Sequence, residues 1–435
     1  MKDTSRSQII LTKLQEIAEQ AKEYPETVFT TLVHHIDVDW LREAYKQTNK
    51  SSAAGIDGVT GKEYEAKLEE NLEKLHKRMK EGKYKAPPVV RVWIEEGEKK
   101  RPIGNPTFED KIVQRAVVMI LEAIYEQDFY DFSHGYRKGH SPHQALKQVW
   151  EKSGEIKVNW IIDADVSGFF DAIPHAQLRE ILKQRVNDGG ILRLIGKWLN
   201  AGVMEEEVLT YAKTGSPQGG VISPMLANIY LHTVLDEWYE KVVKPRLKGR
   251  SYLIRFADDF IIGCELESDA KRVREVLPKR LESYGLSINR QKTKMVKFGK
   301  PPKKGKQEPK NGTFDFLGFT HYWGKSRLDY WIIKRKTIQK KKQRSIKGLR
   351  QRCKENRHLP LEEQYQKLSQ KLRGHYQYYG IINNYRQMEA VYYQTVKNWK
   401  YWLNRRSKER DMIWEKYEKI LKDFFLPKPR IIHKL

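Results

Sequence analysis

The tetrapeptide Phe256-Ala257-Asp258-Asp259 places two adjacent carboxylates between the apolar runs Ser251-Tyr252-Leu253-Ile254 and Phe260-Ile261-Ile262-Gly263. The stretch reads as a β-hairpin with the acids at its tip. Such a pair needs a metal ion or a cationic side chain, because burying an unpaired charge costs several kcal/mol. A second acidic pair, Asp163-Ala164-Asp165, ends the apolar run Trp160-Ile161-Ile162 far upstream. Carboxylates at the ends of two separate strands are the donors that two-metal phosphoryl transfer uses. A plain Asx turn accounts for either pair taken alone.

Three other segments carry chemistry-bearing residues. Thr214-Gly215-Ser216-Pro217-Gln218-Gly219-Gly220-Val221 sets glycines beside a glutamine at a helix start, where backbone can approach a flat ligand closely. An ordinary Gly/Pro turn would look similar. Leu286-Ser287-Ile288-Asn289-Arg290-Gln291-Lys292 offers a lysine able to protonate a leaving group, or one more surface lysine. Phe314-Asp315-Phe316-Leu317-Gly318-Phe319 is an apolar hairpin that suits either a strand-gripping surface or a core.

The elements that must position these residues alternate. Residues 6 to 48 and 62 to 82 have helical periodicity, interrupted by the loop Gly55-Ile56-Asp57-Gly58. Val89 to Ile94 and Lys99 to Ile103 read as a hairpin turning at Glu95-Glu96-Gly97-Glu98. A helix capped by Asp110 is expected over Asp110–Glu126. Strands near 158–165, 252–264 and 294–296 alternate with helices near 174–202, 221–245 and 267–284, a mixed α+β core. From Trp331 to Arg357 there are twelve Lys or Arg and a single acid, Glu355. Aromatic-rich helical segments follow, their rings assigned mostly to packing.

The 435 residues suffice for about three domains. Lys and Arg number 82 against 56 Asp and Glu, a net charge of +26, which favours a polyanionic partner such as nucleic acid. No 18-residue apolar stretch exists, so no membrane partner is expected. Two cysteines, Cys264 and Cys353, exclude a disulfide framework or zinc knuckle. With no apolar signal segment, a cytoplasmic setting is expected.

In order, these motifs make the series of a reverse transcriptase, and the chain most resembles the reverse transcriptase–maturase proteins encoded by bacterial group II introns. The resemblance runs from Gly55-Ile56-Asp57-Gly58 to about residue 405. It includes Arg101-Pro102-Ile103-Gly104-Asn105-Pro106-Thr107, Asp110-Lys111-Ile112-Val113-Gln114, His134-Gly135-Tyr136-Arg137-Lys138-Gly139 and Leu372-Arg373-Gly374-His375-Tyr376-Gln377-Tyr378-Tyr379-Gly380. It implies a right-hand polymerase of α+β class: an N-terminal helical extension (1–50), fingers (51–155), a palm with an antiparallel sheet (156–328), an all-helical basic thumb or maturase domain (329–423) and a short tail (424–435).

By the same resemblance, Asp165, Asp258 and Asp259 hold two Mg²⁺, with the Val166 backbone joining the substrate site. Asp163 is structural support. Phe170 is the sugar gate favouring dNTPs, Arg101 reaches the triphosphate, Gln218 lines the nucleotide pocket and Lys292 is the general acid. Nucleic-acid contacts fall to Lys111, Arg137, Gly318, Lys340, Lys341, Arg344 and Arg373. The implied partners are group II intron RNA, an RNA template with a DNA primer, dNTPs and target DNA. Phe256 stands where the family more often has Tyr, and Glu95 where many relatives carry a phosphate-touching Lys, a contact that Lys99 or Lys100 would replace. No HNH endonuclease segment is seen before Leu435, so second-strand cleavage is not expected. A binding-only maturase and a domesticated enzyme of phage defence or CRISPR spacer acquisition are the rival readings.

Overall fold

A computed structural model describes residues 2–96, 99–205, 208–211, 214–215, 219–302, 311–406 and 412–434, without the side chains of 2–5, 96, 99, 101, 208 and 209. The strands in chain order are β1 (Val89–Glu96), β2 (Lys99–Asn105), β3 (Trp160–Ser167), β4 (Val203–Glu205), β5 (Val208–Thr210), β6 (Ser251–Phe256), β7 (Asp259–Cys264), β8 (Ser287–Ile288), β9 (Lys294–Lys297), β10 (Phe314–Phe316), β11 (Phe319–Lys325) and β12 (Trp331–Thr337). They form sheets ordered β2-β1-β4-β5, β6-β7-β3-β8 with β9 also on β3, and β10-β11-β12. The chain divides into two compact units, residues 1–141 with 164–260 and 268–294, and residues 142–163 with 261–267 and 295–435.

In the first unit β1 and β2 pair antiparallel from Val90↔Asn105 to Glu96↔Lys99, as the alternating sequence predicts. β4 adds to β1 in parallel, at Val89↔Val203. The following helix begins at Phe108, not at Asp110, and its cap is Thr107, whose hydroxyl accepts from the Asp110 N–H at 3.2 Å. Asp110 turns inward instead. It is 2% exposed and accepts from the Tyr84 hydroxyl, from Trp198 Nε1 at 2.9 Å and from Gln114 Nε2 at 2.9 Å. Burial pushes its carboxyl up to about 6, against the pull of these donors. Thr and Asp both suit a cap, and the one three residues nearer the N-terminus has won.

The helix Ser223–Leu231 continues as a π-helix over His232–Val243. Its wider turns carry Asp236 into the core, fully buried beside the fully buried Arg255 of β6. Arg255 Nε and Nη2 donate to the two Asp236 carboxylate oxygens at 2.8 and 2.5 Å. Its Nη1 donates to Asn228 Oδ1 and to the Ala257 carbonyl, both at 3.0 Å. Each of the three guanidinium nitrogens thus donates to at least one acceptor, which favours tolerance of a buried ion pair.

The second unit packs β10-β11-β12 and the helices Gln339–Glu355, Leu361–Tyr379, Tyr385–Leu403 and Trp414–Asp423. Leu349, Leu368, Leu372, Trp399 and Tyr417 are central to the helical core. Most of the aromatic rings of these helices are packed; Tyr385, Tyr393, Tyr401 and Trp414 are exposed. The tail is also fixed: Ile432 N and His433 N donate to the Gly380 carbonyl at 2.7 and 2.9 Å, and His433 stacks on His143 at 3.6 Å. No helix among the described residues is long and apolar enough to cross a membrane. Cys264 and Cys353 are buried and unbridged.

His321, on β11 opposite Arg335, is fully buried with no hydrogen-bond partner at either ring nitrogen among the described residues. Burial, then the Arg335 charge, pushes its imidazole down to about 3, and burial pushes His375 down to about 4. Both are neutral in the fold. Below pH ~6.5 the unfolded chain takes up their protons and the native state does not, so stability is complete above that pH and lost as pH falls through the window. Lowering the pH from about 7.5 to about 5 should cost about 2 kcal/mol for each histidine, read from urea midpoints. In His321→Phe about 2 kcal/mol of the total loss should vanish, His375 and the buried His232 keeping their shares; an unchanged pH slope would refute the assignment.

Candidate active site

The Asp258-Asp259 pair sits where the sequence pattern puts it, at the β6–β7 turn, with Ala257 in left-handed conformation at φ 56° and both acids half-buried. A non-glycine residue holds this conformation only when its surroundings impose it. They do so from two sides. Arg255 grips the Ala257 carbonyl from within, and the segment from Phe132 to Gly135 covers the outer edge of β6, with His134 N donating to the Arg255 carbonyl at 2.9 Å and Arg255 N to Phe132 O at 2.8 Å. A Cβ on Gly135 would lie 2.1 Å from Ala257 N, so only glycine fits there. Asn228 Nδ2 ties the Gly135 carbonyl into the same network at 2.7 Å. Arg255, Asp236, Asn228 and Gly135 all position the turn, and sequence reading singled out none of them for it; the signal available was an arginine inside an apolar strand.

Asp165 lies on β3, whose next residue Val166 is buried and pairs with Ile288 of β8. Its carboxylate is 41% exposed and meets the Lys292 ammonium at 3.0 Å. The Asn289 carboxamide builds that contact by accepting from the N–H groups of Gln291 and Lys292 at 3.2 Å each. Asn289 N donates to the Asp165 carbonyl at 2.8 Å, and Asp165 N donates to the Thr293 hydroxyl at 3.3 Å. The Asn-x-x-Lys motif is therefore a turn that delivers its lysine to Asp165. Phe170, 8% exposed, sits in the short helix Phe169–Ala172 with its ring 5.4 Å from that of Phe169. Asp163 is half-buried on β3.

Gln218 lies outside the described residues, as do Gly97 and Glu98 of the expected hairpin turn. The backbone of Arg101 pairs with Ile94, while its side chain is outside the description. Gly219, at φ 118°, brings the loop so close to β2 that a Cβ would stand 2.4 Å from the Gly104 carbonyl. That approach ties the glycine-rich loop to the strand that carries Arg101.

Two expected nucleic-acid contacts are engaged internally. Lys111 is 4% exposed and donates to the Ser52 hydroxyl and the Ala53 carbonyl at 3.1 and 2.8 Å, fastening the loop before Gly55. Arg137 is 8% exposed and donates to Glu126 at 3.0 Å and to the Tyr130 and Ser133 carbonyls at 2.8 and 2.6 Å. In both, motif position pointed outward while the local carbonyls drew the cation in. Lys340, Lys341, Arg344 and Arg373 are exposed on their helices. Gly318 occupies the β10–β11 turn at φ 83°, where the Tyr378 hydroxyl donates to the Leu317 carbonyl at 2.9 Å.

Among the described residues no group of three or more His, Cys, Asp or Glu is gathered so as to hold a metal ion. The residues present nonetheless fit a hard divalent cation completed by its substrate. Mg²⁺ is commonly held by one or two carboxylates plus phosphate oxygens, and Asp165 already carries a cationic partner in Lys292. That ion pair is exposed, so it contributes only about 0–1 kcal/mol and yields readily to a stronger cation. Gly135→Ala should force Ala257 outward, lowering stability by about 1–3 kcal/mol in denaturant unfolding and shifting the Ala257–Asp259 amide resonances. Unmoved resonances would show that the close approach does not hold the turn.

Residues 94–321, over half of the chain, match the family described as "Reverse transcriptase (RNA-dependent DNA polymerase)". The chain is similar to the "Group II intron-encoded protein LtrA" of Lactococcus lactis subsp. cremoris, 32% identical over 300 residues covering 66% of this chain and 49% of that protein. It is also similar to "Protein YkfC" of Escherichia coli (strain K12), 34% identical over 293 residues, 59% of this chain and 76% of that protein. The "Putative COX1/OXI3 intron 1 protein" of Saccharomyces cerevisiae is 30% identical over 309 residues, 59% of this chain and 36% of that protein. The match to the Lactococcus protein thus spans about half of that relative's length.

Proposed function

This chain belongs to the reverse transcriptase (RNA-dependent DNA polymerase) family, and on that premise we propose that it extends a DNA primer with dNTPs on an RNA template and binds group II intron RNA as a maturase aiding splicing and mobility. The intron part draws on the similarity to the group II intron-encoded protein of Lactococcus and the putative intron protein of yeast. The observation that carries the polymerase reading is the placement of Asp165 and the Asp258-Asp259 turn on neighbouring strands, β3 and β7, of one sheet. Asn159 N donates to the Cys264 carbonyl at 3.0 Å, so the start of β3 faces the end of β7 and the strands run antiparallel. Carried along both strands without a bulge, this register would set Asp165 beside the end of β7 that begins at Asp259.

In this reading Asp165 and Asp258 are the principal carboxylates for two Mg²⁺, with Asp259 beside them. The bound ions supply acidification of the primer 3′-hydroxyl and charge neutralisation at the triphosphate. Lys292 leaves Asp165 as the substrate enters and gives a proton to the departing pyrophosphate. Phe170 packs where the sugar lies and excludes a 2′-hydroxyl, beside the backbone of Val166. Arg101 and Gln218 contact the incoming nucleotide from β2 and from the loop that Gly219 anchors. The wider assignment is a right hand with fingers over 51–155, palm over 156–328 and a basic thumb over 329–423, which is not all-helical as expected because it opens on β12 before its helices. Its Lys340, Lys341, Arg344 and Arg373 follow the phosphate backbone through salt-sensitive contacts.

Primer extension on an RNA template with Mg²⁺ tests the proposal. Asp258→Ala should abolish cDNA synthesis with intron RNA affinity nearly unchanged; equal loss of both would make the acid structural. Lys292→Ala should slow extension by about 10²-fold or more at unchanged RNA affinity. Phe170→Ala should raise rNTP incorporation relative to dNTP, and an unaltered ratio would remove Phe170 from the gate.

A further inference from the structure

A cavity of about 950 Å³ lies in the first unit, and none of the residues given catalytic or nucleotide-contacting roles above lines it. Its walls are the turn Val33–His35, the C-terminal end of the helix Leu68–Lys80 with the residues up to Tyr84, and one face of the helix Gly189–Leu199. That face presents Gly190, Arg193, Leu194 and Lys197, the spacing that aligns side chains on one side of a helix. Asp188 locks the walls together. One of its oxygens accepts from Leu32 N and Val33 N at 2.6 and 3.0 Å, and the other from Gly190 N and Ile191 N at 2.7 and 2.8 Å. The cavity is thus a built feature of the unit.

Its charges are unequally committed. Of the acids, Asp37 caps Trp40 N at 2.8 Å and lies 3.7 Å from Lys13, and Glu81 pairs with Lys83 at 2.9 Å. Lys197 donates to the Tyr84 carbonyl. Arg193, Lys80 and His76 have no hydrogen-bond or ion-pair partner among the described residues. Val33, Met79 and Leu194 supply apolar parts of the same lining. The volume falls in the usual range for small-ligand sites, about 300–1,000 Å³, and an apolar lining with a few convergent charges is their usual chemistry.

We propose that this cavity binds a nucleotide monophosphate unit, its phosphate on Arg193 and Lys80 and its base against Val33, Leu194 and the His76 imidazole. A guanidinium holds phosphate through two parallel hydrogen bonds, and an imidazole offers a flat face for a base. An inorganic anion would leave the apolar surface unused. The unit can be free or part of an RNA strand; the chemistry recognised is the same. This site is separate from the proposed polymerase centre and does not depend on that reading.

The test is photolabelling of the full chain with 8-azido-AMP in EDTA, conditions under which no polymerase substrate is present, followed by peptide mapping. Labelling should map to residues 76–84 or 190–197. The double variant Lys80→Gln/Arg193→Gln should lose at least ten-fold of it at unchanged melting temperature. Should that variant fail to fold, Leu194→Trp, which fills the cavity without altering charge, should block labelling equally. Competition separates the sources: unlabelled 12-nucleotide RNA protecting at lower nucleotide concentration than AMP indicates a strand, and the reverse order a free nucleotide. Labelling confined to other peptides, labelling that persists in both variants, or inorganic phosphate competing as well as AMP would each overturn the proposal.

Discussion

The fully buried pair between Arg255 and Asp236 is the interaction on which the acidic turn depends. It joins a π-helical segment to a sheet strand, and the same guanidinium reaches on to the Ala257 carbonyl. Charges at this depth are better tolerated when each guanidinium nitrogen finds an acceptor, and here the arrangement that supplies the acceptors also sets the backbone from which Asp258 and Asp259 project. Removing either partner would strand a charge in the core and free the turn together. Replacing both by apolar residues would keep the core and lose the grip on Ala257.

The other carboxylate is held in the opposite manner. Asp165 and Lys292 meet half in solvent, where an ion pair has little net value. The backbone beneath them is firmly set by Asn289 and Thr293. A rigid frame with weakly committed side-chain tips suits a site whose charges must exchange partners during a reaction. It also separates two kinds of motif residue: Asn289 shapes the turn, and Lys292 is what the turn presents.

The first hairpin, β3, the acidic hairpin and the basic helices were legible from the chain because period-two and helical patterns there agree with the burial each element achieves, whereas the short strands β4, β5 and β8 and the strand β12 were not. Asp258, Asp259 and Asp165 stood out as charges in places where a core would not tolerate them alone, while Lys292 was marked only by its motif and could as well have been one more surface lysine. What was not legible depended on partners distant in sequence. Asp110 looked like a cap until Tyr84 and Trp198 arrived from elsewhere in the chain. Lys111 and Arg137 looked like phosphate contacts, yet carbonyl oxygens of nearby loops hold them. The π-helical stretch has no periodic signature of its own, and the reason for Gly135 is visible only once Ala257 lies against it.

The two compact units are interleaved along the chain, each assembled from three stretches. His143, for instance, donates from its ring Nε2 to the Tyr378 carbonyl at 2.8 Å, more than half the chain away. Loop closure on that scale must precede the contacts that reward it. During synthesis the residues 142–163 emerge well before their partners beyond 295, and must wait with apolar strand surface uncovered. The first unit is complete in the chain at residue 294, so it can close while two stretches of the second still wait for their partners, and the order of synthesis sets an order of folding.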